Sequence, residues 1–509
     1  MDVLWRRQGD VSTILKTLPA DSWTVTDNVF VRKSYAPWLH RESYPFPSRC
    51  RGTSRRIRFK KYTARVVVLG VPKLERAWYN ALQSRPRAWI SVEAIQLIGM
   101  ESQRGGFWPG LRLLRCNIGW EIVPFISSFL SPTITNLELT LPQESNRLLQ
   151  PTLSLLTHTC RKLQSLAMEL YTSGPLSGCE MGRLISASRQ TLRVVEIRPF
   201  TPPAIIPAIV NLPRLQDLTL QEPRLPDQIP PEVLPRFRAI TFNGNHGPNL
   251  LKFFKGISVK RLGTVRITRG GIIQLSPLLE LLRGASATMD TFHFSPVTAL
   301  DQSTITLLCS FTNLTHLSIG CVCEDPQQNG PCSFLPTDAN IQDLGEALPR
   351  IRLLCLPEGC RESHCVTFTS LVHLSRACGD LTVLTIRVDF TSIVGDQLDH
   401  NNPGLGVNHA CPQRKMSGLT LLRVGNSPLP NAPRCEWVIA LALVSVFPSI
   451  QTLLSSSTGG TVRRWDEVRG NILTCQKIFR VAQVTGKHLG TYIGDSDIDT
   501  FTSKATPIP

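Results

Sequence analysis

Apolar and polar residues follow one spacing along most of this chain: L-x-x-L-x-L, in which each capital is filled by Leu, Ile, Val, Phe, Met or Cys. It occurs as "LRLLRC" from Leu111, "ITNLEL" from Ile134, "LQSLAM" from Leu163, "LRVVEI" from Leu192, "LQDLTL" from Leu215 and "FRAITF" from Phe237. It continues as "LGTVRI" from Leu262, "MDTFHF" from Met289, "LTHLSI" from Leu314, "IRLLCL" from Ile351, "LTVLTI" from Leu381 and "LTLLRV" from Leu419, with a worn copy "IQTLLS" from Ile450. Thirteen copies over 339 residues leave twelve intervals averaging about 28.

The second and third apolar positions of each copy alternate along a short strand and point to one side, while the first turns the chain into that strand. One such unit cannot bury its apolar face alone. Stacked, the strands pair in parallel and share a continuous core. The spacing therefore predicts an α/β fold, a leucine-rich-repeat solenoid with a curved parallel sheet on its concave face and helices on its convex face.

Between strands the chain is expected to return by helix. In "SPLLELLRG" (Ser276 to Gly284), Ser276 suits a cap, Pro277 the first helical position, four leucines the buried stripe and Gly284 the stop. "DANIQDLGEALP" (Asp338 to Pro349) sets Ile341, Leu344 and Leu348 at helical spacing. Intervals from 22 to 38 residues imply returns that are short or broken by proline, as in "EPRLPDQIPPEVLP", and others that carry insertions.

Several copies are preceded by Cys or Pro: "CRKL" at Cys160, "CGDL" at Cys378, "LPRL" at Pro213 and "LPRI" at Pro349. With these approaches, the repeats over roughly 60–470 resemble the cysteine-containing leucine-rich repeats of F-box proteins. The opening "VLWRRQGDVSTILKTLP", with its Leu4-Trp5 pair, resembles the segment that directly follows the F-box in fungal F-box and leucine-rich-repeat proteins. "LPADSWTV" and "ARVVVLG" also stand as they do in that family. The resemblance implies a substrate receptor of a cullin-RING ubiquitin ligase, whose F-box docks on an adaptor while the repeats hold a protein target. The F-box lies ahead of the matched residues, so adaptor binding is expected only where an F-box is supplied upstream, and it maps onto no residue numbered here.

Charge changes the picture at one end. Lys and Arg number 55 against 38 Asp and Glu, a net +17, and residues 1 to 65 hold 14 basic and 5 acidic side chains. The densest stretch carries Arg49, Arg51, Arg55, Arg56, Arg58, Lys60, Lys61 and Arg65. Such a run suits phosphate binding or nuclear targeting. It lacks the interleaved aromatics of a single-strand binder, so a solvated basic linker ending in one edge strand is the preferred reading and a nucleic-acid partner is not expected.

Fifteen cysteines would permit disulfides, but Asp2, Arg6, Arg7, Asp10 and Lys16 interrupt any leader-like apolar run. The longest apolar run, "WVIALALVSVF" (Trp437 to Phe447), is short of the ~20 residues of a membrane span. A reduced cytoplasmic or nuclear setting with no membrane partner follows, most thiols being packed as small apolar groups.

Candidate chemistry is sparse. The chain has no dinucleotide or phosphate loop and no His-Glu-x-x-His, and the Gly-rich "PGLGVNH" (Pro403 to His409) lies in the longest insertion. The densest cysteine tract is Cys321, Cys323, Cys332, Cys355, Cys360 and Cys365, with His364 beside the last. It lacks paired Cys-x-x-Cys hooks, so no zinc and no other cofactor is assigned. Cys321 and Cys323 are expected to begin an exposed insertion, and Cys355 to point outward between Leu354 and Leu356.

The outward strand residues are the better working surface: Arg115, Glu138, Glu169, Glu196, Arg198, Asp217, Arg266, His293, His316, Arg387 and Arg423. Glu138 to Asp217 form an acidic block, followed by a basic and His-bearing half, a split that would orient a protein partner on the concave face. No catalytic residue is assigned. The expected organisation is a post-F-box helical segment and basic linker over 1–60, the solenoid over 61–470, and a cap with a loose tail over 471–509. In the last of these, "EWVIALALVSVFPSIQTLL" (Glu436 to Leu454) sets an apolar helix before the closing strand, Trp437 is expected to seal the core, and "SSSTGGTVRRWDEVRGN" (Ser455 to Asn471) to link into a short helix.

Overall fold

A computed structural model of the chain describes residues 108–117, 126–127, 129–141, 146–170, 175–199, 201–221, 237–244, 250–268, 275–297, 299–321, 333–334, 336–357, 366–391, 393, 418–432, 435–456 and 460–485, together with five short strands ahead of them. The chain divides into two compact units, Met1–Val259 and Lys260–Pro509. The division falls inside the repeat array and at neither expected boundary, since a stack in which each repeat touches only its neighbours can divide between any two of them.

The first unit contains β1 (Arg7–Gln8), β2 (Trp23–Thr26), β3 (Val29–Arg32), β4 (Val68–Val71), β5 (Trp89–Ile90), β6 (Leu113–Asn117) and β7 (Asn136–Leu141). After these come α1 (Asn146–Thr159), β8 (Ser165–Leu170), α2 (Pro175–Ala187), β9 (Val194–Pro199), α3 (Ile206–Val210), β10 (Asp217–Gln221), β11 (Ala239–Asn243) and α4 (Leu250–Lys255). Strands β1, β4 and β6 to β11 pair in that order, every pair parallel. A small separate sheet joins β2, β3 and β5.

The second unit contains β12 (Thr264–Thr268), α5 (Leu275–Leu282), β13 (Thr291–Val297), β14 (Ala299–Leu300), α6 (Gln302–Cys309), β15 (His316–Cys321), β16 (Ser333–Phe334), α7 (Asp338–Ala347) and β17 (Leu353–Cys355). It ends with β18 (Val366–Thr367), α8 (Phe368–Ala377), β19 (Val383–Thr385), β20 (Val388–Asp389), β21 (Leu421–Gly425), α9 (Cys435–Val446), β22 (Thr452–Ser455) and α10 (Gly460–Thr485). Its sheet runs β12, β13, β15, β17, β19, β21, β22, again all parallel.

Each of the thirteen spacings falls on one of these strands, so the fold is the α/β leucine-rich-repeat stack that the periodicity predicts. The buried positions are those of the spacing: in the first unit Leu111, Ile134, Leu163 and Leu192, and the following Leu114, Leu137, Leu166 and Val195, are all 0% exposed. Helix leucines are buried with them, Leu153 and Leu156 in the first unit, as are Leu278 and Leu374 within the second.

Within each unit hydrogen bonds fasten one repeat to the next at the strand's start. The carbonyl one residue after the first apolar position accepts two backbone N–H groups from the following repeat, as at Arg112, whose oxygen takes Thr135 N at 2.8 Å and Asn136 N at 2.9 Å. Threonine adds a third donor at several rungs: Thr135 to Arg112, Thr315 to Asp290, Thr382 to Arg352 and Thr420 to Thr382. Threonines immediately before the first apolar position do the same one residue earlier, Thr133 reaching Leu111, Thr191 reaching Leu163 and Thr288 reaching Leu262.

Several expected elements differ in detail. Helix α5 starts at Leu275, which is 3% exposed, so Ser276 lies inside the first turn and bonds its hydroxyl to Thr304 Oγ1 at 2.5 Å instead of capping. Leu275 joins Leu278, Leu279 and Leu282 in the buried stripe, and Leu281 stays half-buried. Helix α7 is capped reciprocally: Thr337 Oγ1 accepts from Asn340 N at 3.3 Å, and Asn340 Oδ1 accepts from Thr337 N at 3.0 Å.

At the N-terminal end the described residues of 1–60 are strands, and the backbone of Arg7–Gln8 pairs in parallel with Val68–Leu69 where a post-F-box helix was expected. At the other end the expected short helix is α10, 26 residues long and starting at Gly460, ahead of the expected boundary at 470. Trp465 at its start seals the core: 2% exposed, it meets Phe390 edge-on with ring centroids 5.4 Å apart and donates Nε1 to Ser427 O at 3.3 Å. Trp437, assigned that part from sequence, is half-buried on α9. No helix among the described residues is long and apolar enough to cross a membrane.

Candidate protein-interaction surface

Outward residues of successive parallel strands stand side by side, because the register carries from rung to rung, shifting only past Phe294 on β13 and past Arg423 on β21 among the described pairings. Within the first unit Arg115, Glu138, Ala167, Glu196 and Thr219 are consecutive register partners, and Thr140, Glu169 and Arg198 form a second row. Asp217 lies on the same face, two residues ahead of Thr219, following the period of two along a strand.

The carboxylates expected as an acidic block are engaged one by one. Arg115 Nε lies 2.6 Å from Glu138 Oε2, and Arg198 Nη2 lies 2.5 Å from Glu196 Oε1. Thr140 Oγ1 donates to Glu169 Oε2 at 2.9 Å. Burial pushes the Asp217 carboxyl above its ordinary value, and the nearby Arg238 charge pulls it back in part. Exposed pairs of this kind stabilise by about 1 kcal/mol or less. Their effect is to fix where charge sits on the face.

In the second unit Arg266, His293, Ser318, Cys355, Thr385 and Arg423 share one row. Arg266 and Arg423 are exposed, and His293 is half-buried. Burial lowers the His293 pKa below its ordinary value, and the adjacent Arg266 charge lowers it further, so the ring is neutral near pH 7. His316 begins β15 exposed, with Nδ1 2.8 Å from Thr315 Oγ1, and Arg387 stands half-buried past the end of β19.

A neighbouring row is aliphatic: Leu353, Val383 and Leu421 are direct register partners, all half-buried, and the row passes to Thr452 on the strand beyond, where Leu454 pairs with Arg423. The signal was present. In "IRLLCL", "LTVLTI" and "LTLLRV" the third letter, polar in most copies, is aliphatic.

The cysteine tract does not behave as expected at its start. Cys321 is the last residue of β15 and 1% exposed, because its side chain alternates inward after Ile319. Cys355 does point outward, its Sγ 3.4 Å from Thr385 Oγ1. Cys323, Cys332, Cys360, His364 and Cys365 lie outside the described residues, as do Arg49, Arg51, Arg55, Arg56, Arg58, Lys60, Lys61 and Arg65 of the basic segment. Among the described residues no group of three or more His, Cys, Asp or Glu is placed to hold a metal ion.

No protein-family model matches the chain, and no curated protein matches it. Among solved structures it is similar to one described as the crystal structure of the Rad7 and Elc1 complex in yeast, at 12% identity and a TM-score of 0.37, over 72% of this chain and 83% of that one. The fold assignment rests on the parallel registers described above.

Proposed function

We propose that this protein is a non-catalytic recognition protein, which holds a protein target on the open strand face of its repeats and is related to the substrate receptors of F-box-type ubiquitin ligases. The observation that carries the recognition role is the register between adjacent strands, which lines outward side chains into continuous rows and leaves charged and aliphatic groups displayed together. A parallel sheet usually has both faces covered. Here outward positions such as Arg115, Arg266 and Arg423 are exposed. The ligase relation is supported by "VLWRRQGDVSTILKTLP" and by the cysteine- and proline-led repeats, of which Cys160 and Cys378 are fully buried. In this reading the repeats over 61–470 hold the target, and adaptor binding belongs to an F-box placed upstream.

A second reading is favoured by one observation: the Arg7–Gln8 backbone joins the sheet as a strand. That arrangement suits a free-standing repeat scaffold whose first residues are part of the stack. The two readings separate by affinity purification of the full-length protein with all upstream coding sequence, which recovers adaptor and cullin under the first and neither under the second. Photo-crosslinkers at Thr219 and Val383 test recognition itself, and failure of both positions to capture any protein would overturn it.

A further inference from the structure

We infer that the open face of the second unit takes an extended acidic segment of a partner protein, seating aliphatic side chains on Leu353, Val383 and Leu421 and carboxylates on the cations to either side. This rests on the recognition reading and names the chemistry of the target.

Three observations carry it. The aliphatic stripe is continuous, since the three residues are register partners on adjacent strands, and no outward strand residue beside them carries a negative charge. Arginines flank it, Arg266 on β12 and Arg423 on β21 two residues past Leu421, whereas the first unit balances Glu138 and Glu196 with Arg115 and Arg198. Asp290, the residue just ahead of β13, is engaged at its own end of the strand, where it accepts a hydrogen bond from Thr264 at 3.2 Å.

Length sets the size of the ligand. With strands about 4.8 Å apart, the five steps from Arg266 to Arg423 span about 24 Å, which about seven extended residues cover. No Phe, Tyr or Trp stands at an outward position of these strands, so the face lacks the large stacking platforms of a single-stranded nucleic-acid groove.

The test is fluorescence anisotropy of the full chain with a labelled ten-residue peptide, Leu and Val two residues apart between pairs of Asp. Two comparison peptides replace Asp by Lys, or Leu and Val by Ser. The acidic aliphatic peptide is expected to bind at least tenfold more tightly than either. Leu421→Asp should weaken it at least tenfold, and Arg266→Glu with Arg423→Glu should shift preference toward the Lys peptide, a reversal that misfolding cannot produce.

Equal binding of the three peptides, or unchanged preference after charge reversal, would overturn the inference. So would tighter binding of single-stranded DNA that is lost with Arg423→Glu. Binding seen only after removal of 486–509 would assign the face to this chain's own Asp495, Asp497 and Asp499 segment and would likewise overturn the partner assignment. A partner crosslinked from Thr219 alone would sink the inference and leave the recognition reading standing.

Discussion

Thr382 and Thr420 stand on adjacent rungs, and the Thr420 hydroxyl donates to the Thr382 carbonyl at 3.1 Å while the Thr382 hydroxyl donates to Arg352 O at 2.9 Å. Each of these two rungs hands its neighbour a side-chain donor in addition to two backbone N–H groups; the Arg352 carbonyl also takes Thr382 N at 2.8 Å and Val383 N at 3.0 Å. A carbonyl already satisfied by two donors gains little from a third.

Thr382→Val is therefore expected to destabilise by under about 1 kcal/mol, because the Arg352 carbonyl stays paired and the hydroxyl is exposed. Ser427→Ala should cost more, about 1–3 kcal/mol. Ser427 is 1% exposed, and its Oγ accepts the buried Val388 N–H at 2.9 Å, which the substitution would leave with no partner in the core. Denaturant unfolding of the two variants checks the order, and a larger loss in Thr382→Val would contradict this account of the rungs.

Val383 and Leu384 are consecutive residues on opposite sides of β19. Leu384 is 0% exposed, so Leu384→Ala should cost about 2–5 kcal/mol. Val383 faces outward and half-buried, so Val383→Ala should change stability by no more than about 1 kcal/mol. Paired melts of these two variants test whether the aliphatic stripe is dispensable for folding. A loss at Val383 equal to that at Leu384 would make the stripe part of the core.

The strands were legible in the sequence because two periods coincide there, alternation within each strand and recurrence about every 28 residues. Helix α10 was legible in principle, since Trp465, Val468, Ile472 and Cys475 are buried at helical spacing, but the Ser- and Gly-rich run before it reads as a linker. The threonine rungs were not legible. A threonine that donates to the preceding repeat differs from a solvated one only through the register of two strands about 28 residues apart. The charged rows were found by alternation alone. That Glu138 and Glu196 are paired, to Arg115 and Arg198, follows from distances that no spacing encodes.

Burial pushes the Cys160, Cys378 and Cys475 thiols up to about 12. Cys378 Sγ lies 3.6 Å from Gly345 O and 3.7 Å from Leu348 O, so its proton is also held by acceptors. These thiols should resist alkylation in the native protein at pH 9, whereas exposed Cys179 reacts. Their raised folded pKa values contribute stability that is fully present below 9.0 and is lost as pH rises toward about 12, because the unfolded chain loses these protons first. Unfolding free energy should fall as pH rises from 9.0 toward about 12, and less steeply in Cys378→Ala. Equal slopes would remove the thiols from the cause.

The C-terminal clasp predicts the opposite dependence at the acid end. Arg464 on α10 reaches Glu436 on α9, Nε to Oε1 at 2.6 Å, and its other nitrogens donate to Asn431 Oδ1 at 3.2 Å, to Cys435 Sγ at 2.8 Å and to the Pro430 carbonyl. Burial alone would raise the Glu436 pKa, but the Arg464 hydrogen bond, aided by backbone and Cys435 donors and by the Arg464 charge, brings it below its ordinary 4.5. A carboxylate depressed in the folded state contributes stability that is present above 4.5 and is lost as pH falls through the folded value. Arg464→Met should cost about 1.5–3 kcal/mol at pH 7, the range for hydrogen bonds to charged groups, and should flatten the acid limb of the stability curve. Glu436→Gln should flatten the same limb with a smaller loss at pH 7, since Arg464 keeps its carbonyl and amide acceptors. Melts of the three proteins from pH 3 to 7 decide it: an acid limb unchanged in both variants would place the acid sensitivity outside this clasp.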